Sequence, residues 1–417
     1  NMSNTLKFGN GEWYGKKDTI LAYNDLNSNF KPLAFNFDRA SSATVVNKQG
    51  LIETVGSGEP RIDYSNDAKG ALLLEPSRSN SNIESENFLA ANYNYVGRVT
   101  RTSNILTSPN GLQTSDLITE TTDSGTHLVG QSSWNQSIAD TSVSVFAKTN
   151  GRRYIVLGNA NMSPSMNTWF DLENGVVGTQ SPNLIDARIE SYGNGWYRCS
   201  ISYLPNKGNT YPTIYLSNSN GGISYQGDGV SGVYLWGYQI EVNSSYATSY
   251  IPTSGSVVTR VADACSNGAN EQVINSTEGV LYAEISALAD DGTNRYISLK
   301  NNTTVDIIRI GYITSSNRIV IENYKSGALF NLFNYEVQDV KTNSKIAFKW
   351  KDNDFQLYIN GLNVLSNTSV TAWGSDVFQS LQFDQHNGGN DFYGNVKDVR
   401  VYNTALTDSE LINLTTI

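Results

Sequence analysis

The stretch "KIAFKWKDNDFQLYINGLNV", Lys345–Val364, reads as a strand, a polar turn, a second strand and a hairpin closed by Asn360-Gly361. An Asn-Gly pair suits the two-residue turn whose central positions both need φ above zero. Working outward, "GVLYAEIS", "RYISLK", "VDIIRIGYI" and "RIVIENY" before it read as further strands of one module from Glu278 to Ile417. The chain then ends differently. Thr407 followed by Glu410 makes a capping box, and Leu406 with Leu411 a hydrophobic staple, so "LTDSELINL" is expected to be a short helix.

The rest of the chain carries the same β signal. At 417 residues it is too long for one ordinary domain and fits two or three. Only 16% of residues are charged, while Gly, Asn, Ser and Tyr abound, the composition of strands punctuated by turns. From 86 to 255, runs such as "TSVSVFAK", "RYIVL", "PTIYLS" and "GVYLWGYQIEV" alternate with turn clusters at β-sandwich spacing. In "TSVSVFAK", Val143, Val145 and Ala147 share one face. A connection rich in Pro, Gly and small polar residues follows from Ser254 to Asn275, with Val257, Val258 and Val261 available to pack on a neighbouring module.

The first 85 residues are loop-rich. Leu33, Phe35 and Phe37 alternate with Ala34, Asn36 and Asp38, the period of a half-buried strand. Sparse charges of both signs follow: Arg39, Glu53, Arg61, Asp63, Glu75 and Arg78. Arg is the bidentate partner of a carboxylate, so these residues are expected to tie the segment together as ion pairs. Phe8, Trp13, Phe35 and Phe37 ask for more cover than so short a segment supplies, so it is expected to pack on another surface, as in a homo-oligomer.

Several functions are set aside. A formal net charge of −10 argues against a general phosphate-binding surface, so nucleic acid is not an expected partner. No apolar run is long enough to span a bilayer, so no membrane is expected either. No basic-then-apolar leader opens the chain, and Met2 after Asn1 is the expected natural start, which implies synthesis in a cytoplasm without a signal peptide. Cys199 and Cys265 give no disulfide framework or metal cluster; Cys199 is expected to be a buried free thiol and Cys265 to lie in the connection. Glu284 and Glu322 stand singly on their strands, whereas a retaining glycosidase needs two carboxylates about 5 Å apart. No G-x-S-x-G occurs, and His127 and His386 are the only histidines. The chain is expected not to be an enzyme.

Sugar rings stack on aromatic faces and exchange hydrogen bonds with Asn, Gln, Asp and Arg. Trp350, Trp196 and Trp236 lie in apolar strand surroundings and are expected in the core. Trp134, Trp169 and Trp373 are flanked by polar residues and are the expected exposed platforms. The loop "FDQHNGGNDFYG" groups Asp384, His386, Asn387, Asn390 and Asp391: His386 and Asn387 suit a sugar, while Asp384, Asn390 and Asp391 offer oxygen ligands to calcium, unless the loop is simply a solvated turn.

Three sets of motifs carry resemblances. "FNFDRASSATVV", "GLIETV", "PRIDYS" and "LLLEPSRSN", Phe35 to Asn80, resemble the opening block of tailed-bacteriophage virion proteins of the tail- or head-fibre type. "SPNG", "SVFAK", "FDLENG", "YGNGWYRC", "YQGDGVSGVYLWG" and "YATSYIPTSG" resemble carbohydrate-binding jelly rolls of the family 4/9 and 22 type. Many of those hold calcium through an acidic residue in the last long strand. Here that strand reads Leu235, Trp236, Gly237, Tyr238, and Asp228 in the preceding turn is the nearest substitute. The opening stretch, with "FYGNVKDVRVYNTALTDSEL", resembles laminin-G-like, concanavalin A-like jelly rolls. Together these imply an all-β chain of two jelly-roll sandwiches after an N-terminal β segment: 1–85 for virion attachment through other virion proteins, 86–255 carbohydrate-binding-module-like, and 256–417 laminin-G-like. The implied role is a non-enzymatic virion protein that binds glycan or polysaccharide, as a homotrimer with a dimer left open, with no cofactor required and calcium allowed for. A capsule depolymerase and a purely structural decoration protein are the alternatives.

Overall fold

The computed structural model describes residues 5–25, 28, 34–303 and 305–417. Leu33, Asn1 and Met2, named above, lie outside them. The fold is all-β, with one short helix, Asp408–Thr415, among the described residues. The chain divides into two compact units: residues 1–42, 55–76 and 261–417, and residues 43–54 with 77–260. This corrects the boundaries expected near 85 and 255, because the N-terminal residues are shared out between the two units and form no unit of their own.

In the first unit, a long sheet runs Leu362–Asn367, Phe355–Ile359, Ser344–Trp350, Gly279–Ala287, Gly394–Tyr402, Thr5–Gly9, Tyr23–Asn24, with Ala71–Leu74 also paired to Gly394–Tyr402. A five-stranded sheet, Ala328–Glu336, Arg318–Lys325, Ile307–Tyr312, Arg295–Lys300, Ser380–Gln382, shares its core with the first. Period-two alternation explains this: Leu281, Ala283 and Ile285, Ile346, Phe348 and Trp350, and Ile297 and Leu299 all enter one core. Asn360 and Gly361 have φ of 49° and 85°, as their turn requires. Thr407 caps the helix through the Glu410 backbone, and Leu406 and Leu411 are buried together.

The N-terminal apolar residues complete this core. Thr5–Gly9 pairs residue for residue with Asp398–Tyr402, which puts Leu6 and Phe8 inside. Phe35–Asp38 pairs with Ala264–Ser266, burying Phe35, Phe37 and Cys265. Two corrections follow. These aromatics are covered by their own chain, so they supply no argument for oligomerisation, and Cys265 sits in a strand. Arg39, Arg61, Glu75 and Asp263 form a buried ion-pair cluster: Arg39 Nη1 lies 3.0 Å from Asp263, Arg61 Nη1 lies 2.6 Å from Glu75, and Arg61 Nη2 contacts Asp263. Burial pulls the Arg61 pKa down, and the charges of Asp263 and Glu75 more than reverse it.

The second unit is a sandwich. One sheet runs Tyr95–Gly97, Ser124–Gly130, Pro212–Ser217, Tyr154–Asn159, Thr168–Asp171, Val176–Val177; the other runs Val99–Thr107, Gln113–Glu120, Gly232–Val242, Thr141–Asn150, Tyr197–Tyr203, Leu184–Ser191. Val143, Val145, Ala147, Cys199, Ile201 and Ile214 lie in the core between them, and Cys199 is a free thiol. The segment Ser244–Pro252 crosses the outer face of the second sheet, where Thr248 hydrogen-bonds Glu241 and Tyr250 packs on Trp236. Val257 and Val261 stay exposed, against the expectation that they pack.

Candidate functional site

Tryptophan reading divides cleanly. Trp350, Trp196 and Trp236 are buried, as their surroundings imply. Two of the three expected platforms are buried as well. Trp373 is 3% exposed, stacks on Phe355 and donates its indole N–H to the Tyr324 carbonyl at 3.0 Å. Trp169 is 8% exposed and donates to the Gly222 carbonyl at 3.0 Å. The polar neighbours that suggested exposure do not set the fate of these rings. Trp134 is half-buried, pairs with Thr210 and packs against the sandwich core.

Trp169 nevertheless lies on an outward face. Its register partner Val156 pairs with Tyr215, and Tyr215 with Leu128, so Leu128, Tyr215, Val156 and Trp169 form one row across the first sheet of the second unit. Tyr95, Tyr154 and Ile223 pack around that row. It is an apolar aromatic layer with tyrosines at its rim.

The more polar assembly is in the first unit. Along Arg295–Lys300, Ile307–Tyr312 and Arg318–Lys325, Ile297, Leu299, Ile308, Ile310, Ile319 and Ile321 enter the core, which sends Tyr296, Ser298, Lys300, Arg309, Glu322 and Tyr324 to the other face together with Ile307 and Val320. Register then sets Ser298, Arg309 and Glu322 side by side, with Gln382 on the other flank of Ser298. Arg309 is fixed on every side. Its Nε donates to Glu322 at 2.6 Å, its Nη2 to the Tyr324 hydroxyl at 3.1 Å, and its guanidinium carbon lies 4.3 Å from the Tyr296 ring centroid and 5.0 Å from that of Tyr324.

The loop 384–391 closes one edge of this face. Lys300 Nζ donates to the His386 carbonyl at 3.1 Å, and the Tyr296 N–H to the Asn390 carbonyl at 3.2 Å. His386 has a φ of 119°, and its Nδ1 is buried with no partner. Burial and the nearby Arg309 cation lower its pKa, which keeps the imidazole neutral at pH 7. Ser298 is fully buried, and its hydroxyl also lacks a partner. Two unsatisfied polar groups thus border an ordered Arg–Glu–Tyr set. Asn387 is exposed at the loop tip, its Oδ1 accepting from Gln385 at 2.9 Å.

The expected calcium ligands are otherwise engaged. Asp384 accepts the His386 backbone N–H, Asp391 accepts the Tyr393 hydroxyl at 2.9 Å, and Asn390 donates to Gln385 at 2.6 Å. Burial raises the Asp391 pKa. Asp228 in the second unit is taken up by its own turn, accepting from Val230 N–H at 2.8 Å and from Ser231 N–H at 2.7 Å. Among the described residues no group of three His, Cys, Asp or Glu side chains is arranged to hold a metal. Sequence reading found the loop and missed Tyr296, Ser298, Lys300, Arg309, Glu322 and Tyr324. Their signal was the alternation of Tyr296, Ser298 and Lys300 in "RYISLK", a single Arg309 among the isoleucines of "IIRIGY", and Glu322 and Tyr324 in "RIVIENY", which become a site only when the strands are placed in register.

Among solved structures, the chain is similar to the sialidase module "Ruminococcus gnavus IT-sialidase CBM40 bound to alpha2,3 sialyllactose", at 14% identity over 33% of this chain and 83% of that one, TM-score 0.29. It is similar to domain 4 of AbnA, a GH43 extracellular arabinanase from Geobacillus stearothermophilus in complex with arabinotriose, at 14% identity over 41% and 82%, TM-score 0.30. It is also similar to domains LG4-5 of the mouse laminin alpha1 chain, at 10% identity over 69% and 90%, TM-score 0.26. No curated protein sequence matches it. Residues 271–412, which contain the Arg309 face and its loop, match the laminin-G-like family described as "Concanavalin A-like lectin/glucanases superfamily".

Proposed function

We propose that this chain is a non-enzymatic glycan-binding protein of a tailed-phage virion, and that the Arg309 face binds the sugar. One observation carries the reading. Inside the segment that matches a lectin-type family, an immobilised guanidinium and carboxylate stand beside two tyrosines, a neutral imidazole and a hydroxyl without a partner. Adjacent hydroxyls of a sugar can accept from Arg309 and donate to Glu322, the guanidinium being held in place by the tyrosine rings it covers. Holding the pair rigid lowers the ordering cost of binding. Display in several copies, as in a trimer on a particle, would multiply weak single-site affinity. The opening block, Phe35 to Asn80, supports the virion assignment by its resemblance.

A glycan array with the intact protein tests this, alongside Tyr324→Phe and His386→Ala. Binding to host-surface polysaccharide is expected, with no release of reducing ends, and Tyr324→Phe should weaken it several-fold by freeing the Arg309 fork. An intact protein that binds no glycan, or that cleaves one, overturns the reading in favour of decoration or depolymerase.

A further inference from the structure

The first unit has a second polar recess, away from Arg309. Residues Asp63, Ser65, Asn66, Asp67 and Ala71 form one wall, and Ser286, Lys341, Asn343, Asn395 and Lys397 the other, around a cleft of about 250 Å³. The alternation that buries Ile285, Ala287 and Val396 sends Ser286 and Asn395 into it. Half of its wall comes from the N-terminal residues, outside the segment 271–412 that matches the lectin-type family.

Its carboxylates are spent. Asp63 accepts from the Ser65 N–H at 2.9 Å, and Asp67 accepts from the Lys69 N–H at 2.8 Å and pairs with Lys397 at 2.9 Å. The neutral groups are not. Asn343 donates its amide to Glu284 at 2.8 Å, but its Oδ1 is buried and has no partner. Among the described residues the side chains of Asn66, Ser286 and Asn395 have no hydrogen-bond partner, and Lys341 has only a loose contact with Asp339, at 3.8 Å. The recess therefore offers one buried acceptor, two amides and a hydroxyl that can each give or take, and an ammonium that only gives. A phosphate would meet two ammonium groups but also the Asp63 and Asp67 carboxylates. A metal cation would find both carboxylates already taken, and an apolar ligand would find little beyond Ala71. Closely spaced hydroxyls, each donor and acceptor, satisfy the whole set.

We propose that this cleft is a separate saccharide site, sized for one neutral hexose ring. It has no aromatic platform, so it recognises the hydroxyl pattern rather than a ring face, and binds weakly.

The test uses the intact, isotope-labelled protein titrated in turn with glucose, galactose, rhamnose, N-acetylglucosamine and inorganic phosphate, followed by amide shifts. At least one sugar should move Asn66, Ser286, Asn343 and Asn395 together. Asn66→Ala and Asn395→Ala, which break no bond of the fold, should each weaken that sugar about five-fold. Arg309→Ala should leave this response unchanged, which separates failure here from failure of the Arg309 reading. Movement with phosphate alone, movement with no sugar, or full binding in the Asn66→Ala/Asn395→Ala double variant overturns the proposal.

Discussion

Substituting Asp263→Ala should cost the first unit about 3–5 kcal/mol, because it strands buried cations. Arg39, Arg61, Glu75 and Asp263 are each no more than 2% exposed and form a neutral quartet. Asp263 is its hinge: Oδ1 takes Arg39, while Oδ2 takes Arg61 and the Glu75 N–H at 2.8 Å. Removing it leaves two guanidinium groups against the single Glu75 carboxylate, away from water. Two features bound the loss. Arg39 still donates to the carbonyls of Ser41 at 2.9 Å, Gly56 at 2.7 Å and Glu59 at 2.9 Å, and Arg61 keeps Glu75 at 2.6 Å. For a unit of this size the cost corresponds to a fall in melting temperature of about 6–20 °C. Peptide-resolved hydrogen exchange during urea titration should place the destabilisation in residues 5–42, 55–76 and 261–417 and leave 77–260 nearly unchanged. A loss below about 1 kcal/mol, or one spread evenly over both units, would refute the argument that this quartet holds the N-terminal segment to its sheet.

Trp169→Ala should cost about 3–5 kcal/mol in urea denaturation, since it removes a buried ring and the N–H bond to Gly222; unchanged stability with lost glycan binding would return Trp169 to the role of an exposed platform. Burial raises the Asp398 carboxyl from 3.8 to about 6, against the pull of Arg400 and with help from Glu284. The folded state then holds that proton more tightly than the unfolded chain, so the contribution is full below pH 3.8 and lost as pH rises through about 6. Replacing it by Asp398→Asn removes this term, so the stability of the variant relative to the native protein should rise by about 2 kcal/mol between pH 4 and 7, and a constant difference would contradict it.

Motifs closed within a few residues are legible in the sequence. The Asn360-Gly361 turn and the Thr407–Glu410 cap are each complete within a few residues, so their chemistry sits in the sequence itself. The ion pairing of Arg39, Arg61 and Glu75 was also legible, since Arg and carboxylate among apolar neighbours have few other ways to be buried. Their shared partner Asp263 was not, because it lies far along the chain. The same reason hid the fold of the N-terminus. Phe8 and Phe37 announced a buried face, but the strands that cover them, Gly394–Tyr402 and Ala264–Ser266, are at the other end of the sequence. An unpaired apolar strand in a sequence looks the same whether a distant part of its own chain or another molecule completes it.

Trp169 shows a second limit, which also bears on the site. Polar flanks suggest exposure, yet in a strand the immediate neighbours point to the opposite face and say little about the residue between them. What decides burial is the neighbour across the ladder: Val156 for Trp169, and for Arg309 the pair Ser298 and Glu322. A ligand face on a sheet is therefore a property of register, assembled from single polar residues that each look incidental in their own strand. His386 and Asn387 could be noticed because a loop keeps its polar groups adjacent in sequence. Arg309, Tyr296 and Tyr324 needed three strands laid side by side before the clamp around the guanidinium existed, and it is that clamp, more than the loop, that gives the face a rigid donor to offer a hydroxylated ligand.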